Sequence, residues 1–240
     1  MRRTTIINIV AVLLLTGCID HRGNINFTYE HPERYTVGDA TLEQPVNEID
    51  VTWLCGEINI VYADIPGVRI HEEASNALPD SLRMRYHVDE EGCLSIQFCE
   101  SGRKYNTSKM ESLEGIEKTL TIEVPRGTVL KEIDLDMVST SVRIDSVASR
   151  ELNLDGVFFD VLAQYPTLPD EIDMDGVGGS LNLHVPEDAG MTVEMSGVKK
   201  YLNVTSERPT RKDGKMTILG DGHCKIEVDG VNVTLNINKL

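Results

Sequence analysis

Four aspartates occupy one recurring position in the sequence: Asp136, Asp155, Asp175 and Asp229. If the chain stacks into coils, these side chains form a ladder with neighbours about 5 Å apart. A row of carboxylate oxygens could bind Ca²⁺, but one carboxylate per coil is few for an ion that takes six to eight oxygen ligands. We favour the alternative that each Asp hydrogen-bonds its own bend beside a small residue. The sequence therefore predicts no metal site.

Catalytic motifs are missing from the sequence. There is no Gly-x-Ser-x-Gly elbow, no phosphate-binding loop, no dinucleotide fingerprint and no His pair with the spacing of a zinc protease. Glu57 and Asp160 share a repeat position, as the paired carboxylates of a carbohydrate-active β-helix enzyme would, but other copies carry Ser141 and Ser180 there. We predict that the protein is not an enzyme and needs no cofactor, and we keep a carbohydrate-active enzyme as the least favoured alternative.

The chain contains five cysteines, and the first of them, Cys18, follows a targeting sequence. Two arginines, an apolar run and the small residues before Cys18 are typical of a secretory signal peptide. They resemble the lipobox of bacterial lipoproteins, in which this Cys becomes the lipid-modified N-terminus. The other four are Cys55, Cys93, Cys99 and Cys224. Disulfides are permitted outside the inner membrane; Cys93 and Cys99 lie too far apart along one strand to bond each other, and reduced, buried thiols are the equal alternative.

One pattern positions these residues, because it recurs six times. Each copy has two short stretches in which apolar and polar residues alternate, separated by a small polar residue and often a glycine. Alternation predicts strands with one buried face, and Asp-Gly or Ser-Gly predicts the bend between them. The copies span residues 49–60, 133–144, 152–163, 172–183, 193–204 and 226–237.

The fold class predicted from this repeat is all-β. The copies beginning at residues 133 to 193 are separated by 19, 20 and 21 residues, a period typical of solenoids. Hairpins packed as a β-sandwich also contain regular short strands, but they would not place the same residue type at the same offset in every copy. We predict a single-domain β-solenoid, a right-handed parallel β-helix-like stack of two-strand repeats of about 20 residues.

The repeats also carry a family resemblance. The segments 136–142, 175–181 and 229–235 resemble the "VSG-D/S-V" repeats of the adhesin-like DUF4097 and DUF2807 families. The stretch 118–125 resembles the strand and proline that precede those repeats, and 183–190 resembles their "lPedag" turn. This resemblance covers about residues 45–238 and implies a β-helical fold. It implies no active site.

The targeting sequence and the repeats together predict the domain organisation. Residues 1–17 are expected to be the signal peptide, 18–40 a flexible tether and 41–240 the solenoid domain. Removal of residues 1–17 would leave 21 basic and 39 acidic residues, a net charge of −18. So acidic a surface repels nucleic acid and anionic lipid headgroups.

The expected function follows from the anchor and the surface. We predict a non-enzymatic, adhesin-like lipoprotein of the cell envelope, held to the membrane by its lipid and binding an unidentified protein or glycan. The alternative is a periplasmic structural or signalling accessory protein. Ile19 stands where enteric bacteria place an Asp that retains lipoproteins in the inner membrane, which favours the outer membrane.

Overall fold

The structure is a computed structural model that describes residues 24–106, 116–205 and 209–240, and Cys18 lies outside them. These residues form 21 strands and two three-residue 3-10 helices, Pro32–Arg34 and Asp80–Leu82; none of their helices could span a bilayer. The strands are β1 (Asn24–Phe27), β2 (Thr36–Val37), β3 (Ala40–Thr41), β4 (Glu48–Trp53), β5 (Gly56–Ala63), β6 (Arg69–Ala74), β7 (Arg85–Val88), β8 (Cys93–Gln97), β9 (Arg103–Asn106), β10 (Lys118–Pro125), β11 (Val129–Val138), β12 (Thr140–Asp145), β13 (Ala148–Val157), β14 (Asp160–Gln164), β15 (Glu171–Val177), β16 (Ser180–Val185), β17 (Met191–Met195), β18 (Val198–Val204), β19 (Thr210–Asp213), β20 (Met216–Leu219) and β21 (Cys224–Lys239).

The predicted all-β solenoid is confirmed. Each repeat contributes one strand to each of two parallel ladders, and equivalent residues pair across neighbouring coils. In the first layer β4, β11, β13, β15, the first half of β21 and β17 lie side by side. In the second layer β5, β12, β14, β16, the second half of β21 and β18 do so. The right-handed winding remains a prediction.

A single apolar core lies between the two layers. The aliphatic row that begins at Ile49 in the first layer faces the row that begins at Ile58 in the second, and both are buried except at Leu202 on β18, which is partly buried. Removing such side chains from water is the main favourable term in folding, about 25 cal/mol per Å² of apolar surface. One copy alone could not bury its row, and stacking makes the row continuous.

The order of the coils in space differs from their order in the sequence. The last copy, on β21, pairs with β15 and β16 on one side and with β17 and β18 on the other. At the opposite end, the first copy lies on β4 and β5. It pairs with β8 and β10 on one side and with β11 and β12 on the other. Two connections therefore step over a whole coil. These are the proline-containing segments 125–128 and 186–190. The first begins at the last residue of the stretch 118–125 and the second lies within the turn 183–190, two of the segments that carry the family resemblance.

The bend lies two residues beyond its predicted place. Asp155 and Gly156 are within β13, as Asp175 and Gly176 are within β15. The chain turns instead at a residue with positive φ that follows the aliphatic, and Phe158 at 55° is an example. The Asp-Gly pair was thus wrongly assigned to the corner. The corner residues with positive φ are Ser139, Phe158, Gly178, Lys199 and Asn232.

Close approach of neighbouring coils explains the recurring glycine. A Cβ on Gly156 would lie 2.1 Å from the carbonyl oxygen of Met137, and one on Gly230 would lie 2.0 Å from the carbonyl oxygen of Gly176. Real Cβ atoms do not approach backbone so closely, so these positions exclude side chains. Phe159 fills the space left inside, with its ring against Gly176 and Gly179, and is 1% exposed.

The predicted flexible tether is wrong for residues 24–40, which are part of the fold. β1 pairs with β9, β2 with β7, and Ala40 of β3 with Ile70 of β6. Phe27 is buried and its ring packs on that of Tyr29. These segments lack a repeat pattern because they cover the end of the stack instead of adding a coil to it.

Candidate functional site

The outer surface of the first layer is rich in acidic residues, and we call it the acidic face. Side chains alternate along each strand, so every second residue points outward, and parallel pairing aligns them into three rows. These rows hold thirteen of the chain's 39 acidic residues. The acidic residues are Glu48, Glu132, Glu151 and Glu171 in the first row, Asp50, Asp134, Asp173, Glu194 and Glu227 in the second, and Asp136, Asp155, Asp175 and Asp229 in the third.

Burial between adjacent strands, and then the charge of neighbouring carboxylates, raises the pKa of several aspartates on this face. At Asp134 burial and then the charges of Asp136, Asp50 and Asp155 raise the pKa to about 8. Burial and neighbouring carboxylates raise the pKa of Asp155 to about 7. Burial is also the first cause at Asp136 and Asp173, where the pKa rises to about 6. Near neutral pH Asp134 and Asp155 therefore still hold protons for part of the time.

Few described cations offset this charge. The Lys225 ammonium lies 2.5 Å from Glu171 Oε1 and 3.1 Å from Glu227 Oε1. No hydrogen bond within the described ranges contributes to the pKa of Asp136, and Asp173 Oδ1 is buried without a hydrogen-bond partner among those residues. The middle of the face forms an open groove of about 550 Å³ lined by carboxylates of all three rows. Such a surface attracts cationic groups.

The predicted aspartate ladder exists, but not for the predicted reason. Asp136, Asp155, Asp175 and Asp229 are register partners on adjacent strands. Burial and then the charge of Asp229 raise the pKa of Asp175, and a backbone hydrogen bond at Gly176 offsets part of that rise; no such bond acts at Asp136 or Asp155. Capping of local bends therefore does not account for the ladder as a whole.

The tightest group of possible metal ligands on this face already contains a cation. Oxygens of Glu171, Asp173 and Glu227 lie within 4.8 Å of one another. However, Lys225 pairs with Glu171 and Glu227, so its ammonium takes the position that a metal ion would need. The absence of a metal site stays a prediction.

The second layer's outer surface carries the carboxylates considered for an enzyme. Glu57, Ser141, Asp160 and Ser180 are register partners in one row, so Glu57 and Asp160 are two strands apart. Ser180 donates a hydrogen bond to Asp160. The row borders an open depression of about 310 Å³.

The described cysteines are thiols in this structure. Cys55, Cys99 and Cys224 are buried and Cys93 is half-buried. Five strand spacings separate β8, which holds Cys93, from β21, which holds Cys224, so these two are about 24 Å apart and cannot bond. Burial raises the pKa of Cys93 to about 11 and that of Cys224 to about 12, which keeps both protonated and unreactive.

A buried ion pair at the N-terminal end was not foreseen. Lys118 and Glu72 are 1% and 3% exposed at their side chains and form an ion pair. Lys118 Nζ also donates to the carbonyl oxygens of Leu82 (2.9 Å) and Phe98 (2.5 Å), and it lies 3.9 Å from the Phe98 ring centroid. All three ammonium protons have acceptors, so the pair is structural. The sequence signal was a lysine in phase with Leu120, Ile122 and Val124, the inward residues of β10.

No family model matches the chain, and no curated protein matches it; membership of the DUF4097 or DUF2807 families therefore stays a prediction. Two solved structures are similar to it. A candidate cell adhesion protein from Clostridium sporogenes ATCC 15579 is 14% identical, with a TM-score of 0.67 over 86% of this chain and 100% of that one. A candidate adhesin from Bacteroides fragilis NCTC 9343 is 12% identical, with a TM-score of 0.37 over 85% and 97%. The first likeness supports the fold alone.

Proposed function

We propose that the protein is a non-enzymatic, adhesin-like binding module of the bacterial cell envelope, anchored through a lipid on Cys18. The single observation that carries the binding role is the acidic face, where three registered rows of carboxylates lack enough cations to balance them. One of the two similar structures is named as a cell adhesion protein, and this name agrees with the proposed role. Lipidation, envelope location and the choice of the outer membrane rest on the sequence around Cys18.

The partner that fits this face is a cationic protein surface. A flat, rigid sheet presents carboxylates about 5 Å apart along each row, so it can contact several Lys or Arg side chains at once. Each cation that binds lowers the pKa of the nearby carboxyl groups, so aspartates with raised pKa values, such as Asp134, release their protons. Binding should therefore strengthen as the pH rises and weaken as salt is added.

Binding of a fluorescein-labelled octalysine peptide tests this proposal. We expect the combined substitutions Asp134→Asn, Asp155→Asn and Asp173→Asn to weaken binding about tenfold. Binding is measured at about pH 9, above the raised pKa values of the face, so that the three substituted aspartates are ionised in the natural protein. The charge-matched control, Glu43→Gln, Glu90→Gln and Asp188→Asn, removes exposed carboxylates elsewhere and should change binding about twofold at most. Equal losses in the two variants would show that net charge, and not the acidic face, attracts the peptide. Titration with Ca²⁺ in the absence of the peptide tests separately whether the acidic face binds a metal ion.

Lipidation and location have separate tests. An inhibitor of the lipoprotein signal peptidase, or Cys18→Ser, should make the precursor accumulate; an unchanged mature form would exclude the lipobox assignment. Protease treatment of intact cells should degrade a surface adhesin. Full protection would instead support the periplasmic accessory protein. A polysaccharide release assay with the purified protein tests the enzyme alternative.

A further inference from the structure

β18 is an open edge of the second layer. It pairs with β21 on one side, and no strand of residues 24–106, 116–205 or 209–240 pairs with its other side. The opposite end of this layer is covered by β6 and β3. The Thr205 N–H donates to Ile237 O at 3.0 Å, so by alternation the backbone groups of Leu202 and Val204 point away from β21. Such an edge can accept another strand.

Beside this edge the apolar core is open. A groove of about 650 Å³ is lined by Val193, Met195, Leu202 and Val204. Elsewhere in the stack the equivalent residues are covered by the next coil, as Ile226 and Leu235 are on β21. Two further apolar side chains of β18 face solvent, Val198 at 61% and Tyr201 at 51% exposed. An added strand would bury apolar surface as well as form backbone hydrogen bonds.

The charge around the groove is opposite to that of the rest of the protein. Residues 198–205 and 209–219 contain five basic residues and one acidic residue, in a chain with 23 basic and 39 acidic residues. All five basic side chains are exposed, and Lys200, Lys212 and Lys215 line the groove itself. The basic residues are Lys199, Lys200, Arg211, Lys212 and Lys215, and the acidic one is Asp213.

We propose that β18 binds an extended acidic segment of another protein, which adds to the second layer as a new edge strand. Apolar residues at alternate positions of that segment would pack against Leu202 and Val204, and its carboxylates would lie near the lysines. A second copy of this chain fits poorly, because pairing β18 with its own copy brings two sets of five cations together. This inference does not depend on the acidic face, which binds the opposite charge.

The competing explanation is that the lysines guard the edge. Natural proteins place lysine on edge strands to prevent pairing. A guarded edge repels or ignores an acidic strand, whereas a docking edge binds it with backbone hydrogen bonds. An electrostatic contact alone would bind an acidic peptide whether or not the peptide can form those bonds.

The test uses the full-length protein in mild detergent and a fluorescein-labelled peptide, Glu-Val-Glu-Leu-Glu-Val-Glu. We expect saturable binding by fluorescence anisotropy. It should weaken about tenfold in Lys199→Glu/Lys200→Glu and stay within about twofold in Arg34→Glu/Arg126→Glu, a charge-matched control whose exposed arginines lie outside β18 and the groove. The same peptide with alternate backbone nitrogens methylated keeps its charge but cannot pair as a strand, and it should bind about tenfold more weakly.

Three outcomes would overturn the proposal. Equal affinity for the methylated peptide would indicate electrostatic adsorption, and absence of binding by the unmodified peptide would indicate a guarded edge. A dimer in sedimentation that dissociates when the peptide binds would indicate that β18 pairs with a second copy. Urea denaturation of both double variants, with midpoints equal to that of the natural protein, confirms that they are folded.

Discussion

The Lys118–Glu72 pair and the acidic face differ in how their charges are balanced: the buried pair is neutralised internally, whereas the surface carboxylates have few cations beside them. The pair is isolated from solvent, but each ammonium proton has an acceptor, and the carboxylate of Glu72 also accepts the Met84 N–H at 3.1 Å. On the acidic face the carboxylates are half-exposed, yet they stand beside each other and few cations reach them. Satisfied charge in the interior stabilises this fold locally, whereas unbalanced charge on its surface stores repulsion that a partner can relieve.

Removal of the buried lysine should have the largest effect. Lys118→Met leaves the Glu72 carboxylate buried without its cation, which costs about 3–5 kcal/mol. We expect this loss in the free energy of unfolding measured with urea. The matched control is Lys131→Met, because Lys131 also pairs with a glutamate, Glu48, but its side chain is 63% exposed. The control should lose far less stability than Lys118→Met, because solvent screens an exposed ion pair.

A double substitution sharpens this result. Lys118→Met with Glu72→Met replaces both charges by apolar side chains, so it should regain much of the stability lost in the single variant. If Lys118→Met and Lys131→Met cost the same, the interior pair does not have the role assigned to it.

The sequence predicted the regular part of the fold well and its ends poorly. The alternation in Ile49–Ile60 and its five copies gave the register, because stacked coils force equivalent residues together. Nothing local in β21 indicates that it inserts between β15 and β17, since any coil offers neighbours the same two ladders. The pairing of β1 with β9 depends on residues far apart in sequence and has no periodic signal.

The pH dependence of stability tests the other region of this comparison, the acidic face. The raised pKa values mean that Asp134 and Asp155 hold protons more tightly in the folded state than in the unfolded chain, where an aspartate pKa is about 3.8. Between about pH 4 and pH 8 the folded state therefore binds more protons, and stability falls as the pH rises. Asp134→Asn removes the most perturbed carboxylate. It should stabilise the protein by about 1–2 kcal/mol at pH 8.5 and change it by less than about 0.5 kcal/mol at pH 5.

Urea midpoints at several pH values measure this difference. Asp188→Asn is the control, because Asp188 is exposed in the connection between β16 and β17. It should leave the pH profile unchanged. If stability instead rises from pH 5 to pH 8.5 in both the natural protein and Asp134→Asn, that result would contradict the raised pKa values assigned to Asp134 and Asp155.

Only part of the acidic face was foreseen from the sequence. The row of Asp136 and Asp155 stood out because the residue type repeats at one offset. The neighbouring rows mix Asp, Glu and Asn, so their alignment became visible only with the register. The raised pKa values depend on burial between adjacent strands, which the order of residues does not give.

Lys225 resembles Lys118 in one respect. It neutralises a small part of the negative charge on the acidic face, as Lys118 neutralises the charge of Glu72 in the interior. Its charge lowers the pKa of Asp173, whereas Glu171 and Glu227 raise it. Lys225→Met should therefore raise the pKa of Asp173 further. Since the ion pairs are half-exposed, we expect a loss of about 0.5–1 kcal/mol at pH 8.5. The loss should be smaller near pH 5, because Asp173, whose pKa is raised to about 6, is then mostly protonated and no longer attracts the lysine. Lys239→Met, which removes the cation paired with Glu187 at 3.6 Å, should show no such dependence on pH. A loss in Lys225→Met that is equal at both pH values would mean that the lysine acts through packing alone, and the carboxylates beside it would then not share charge as a group.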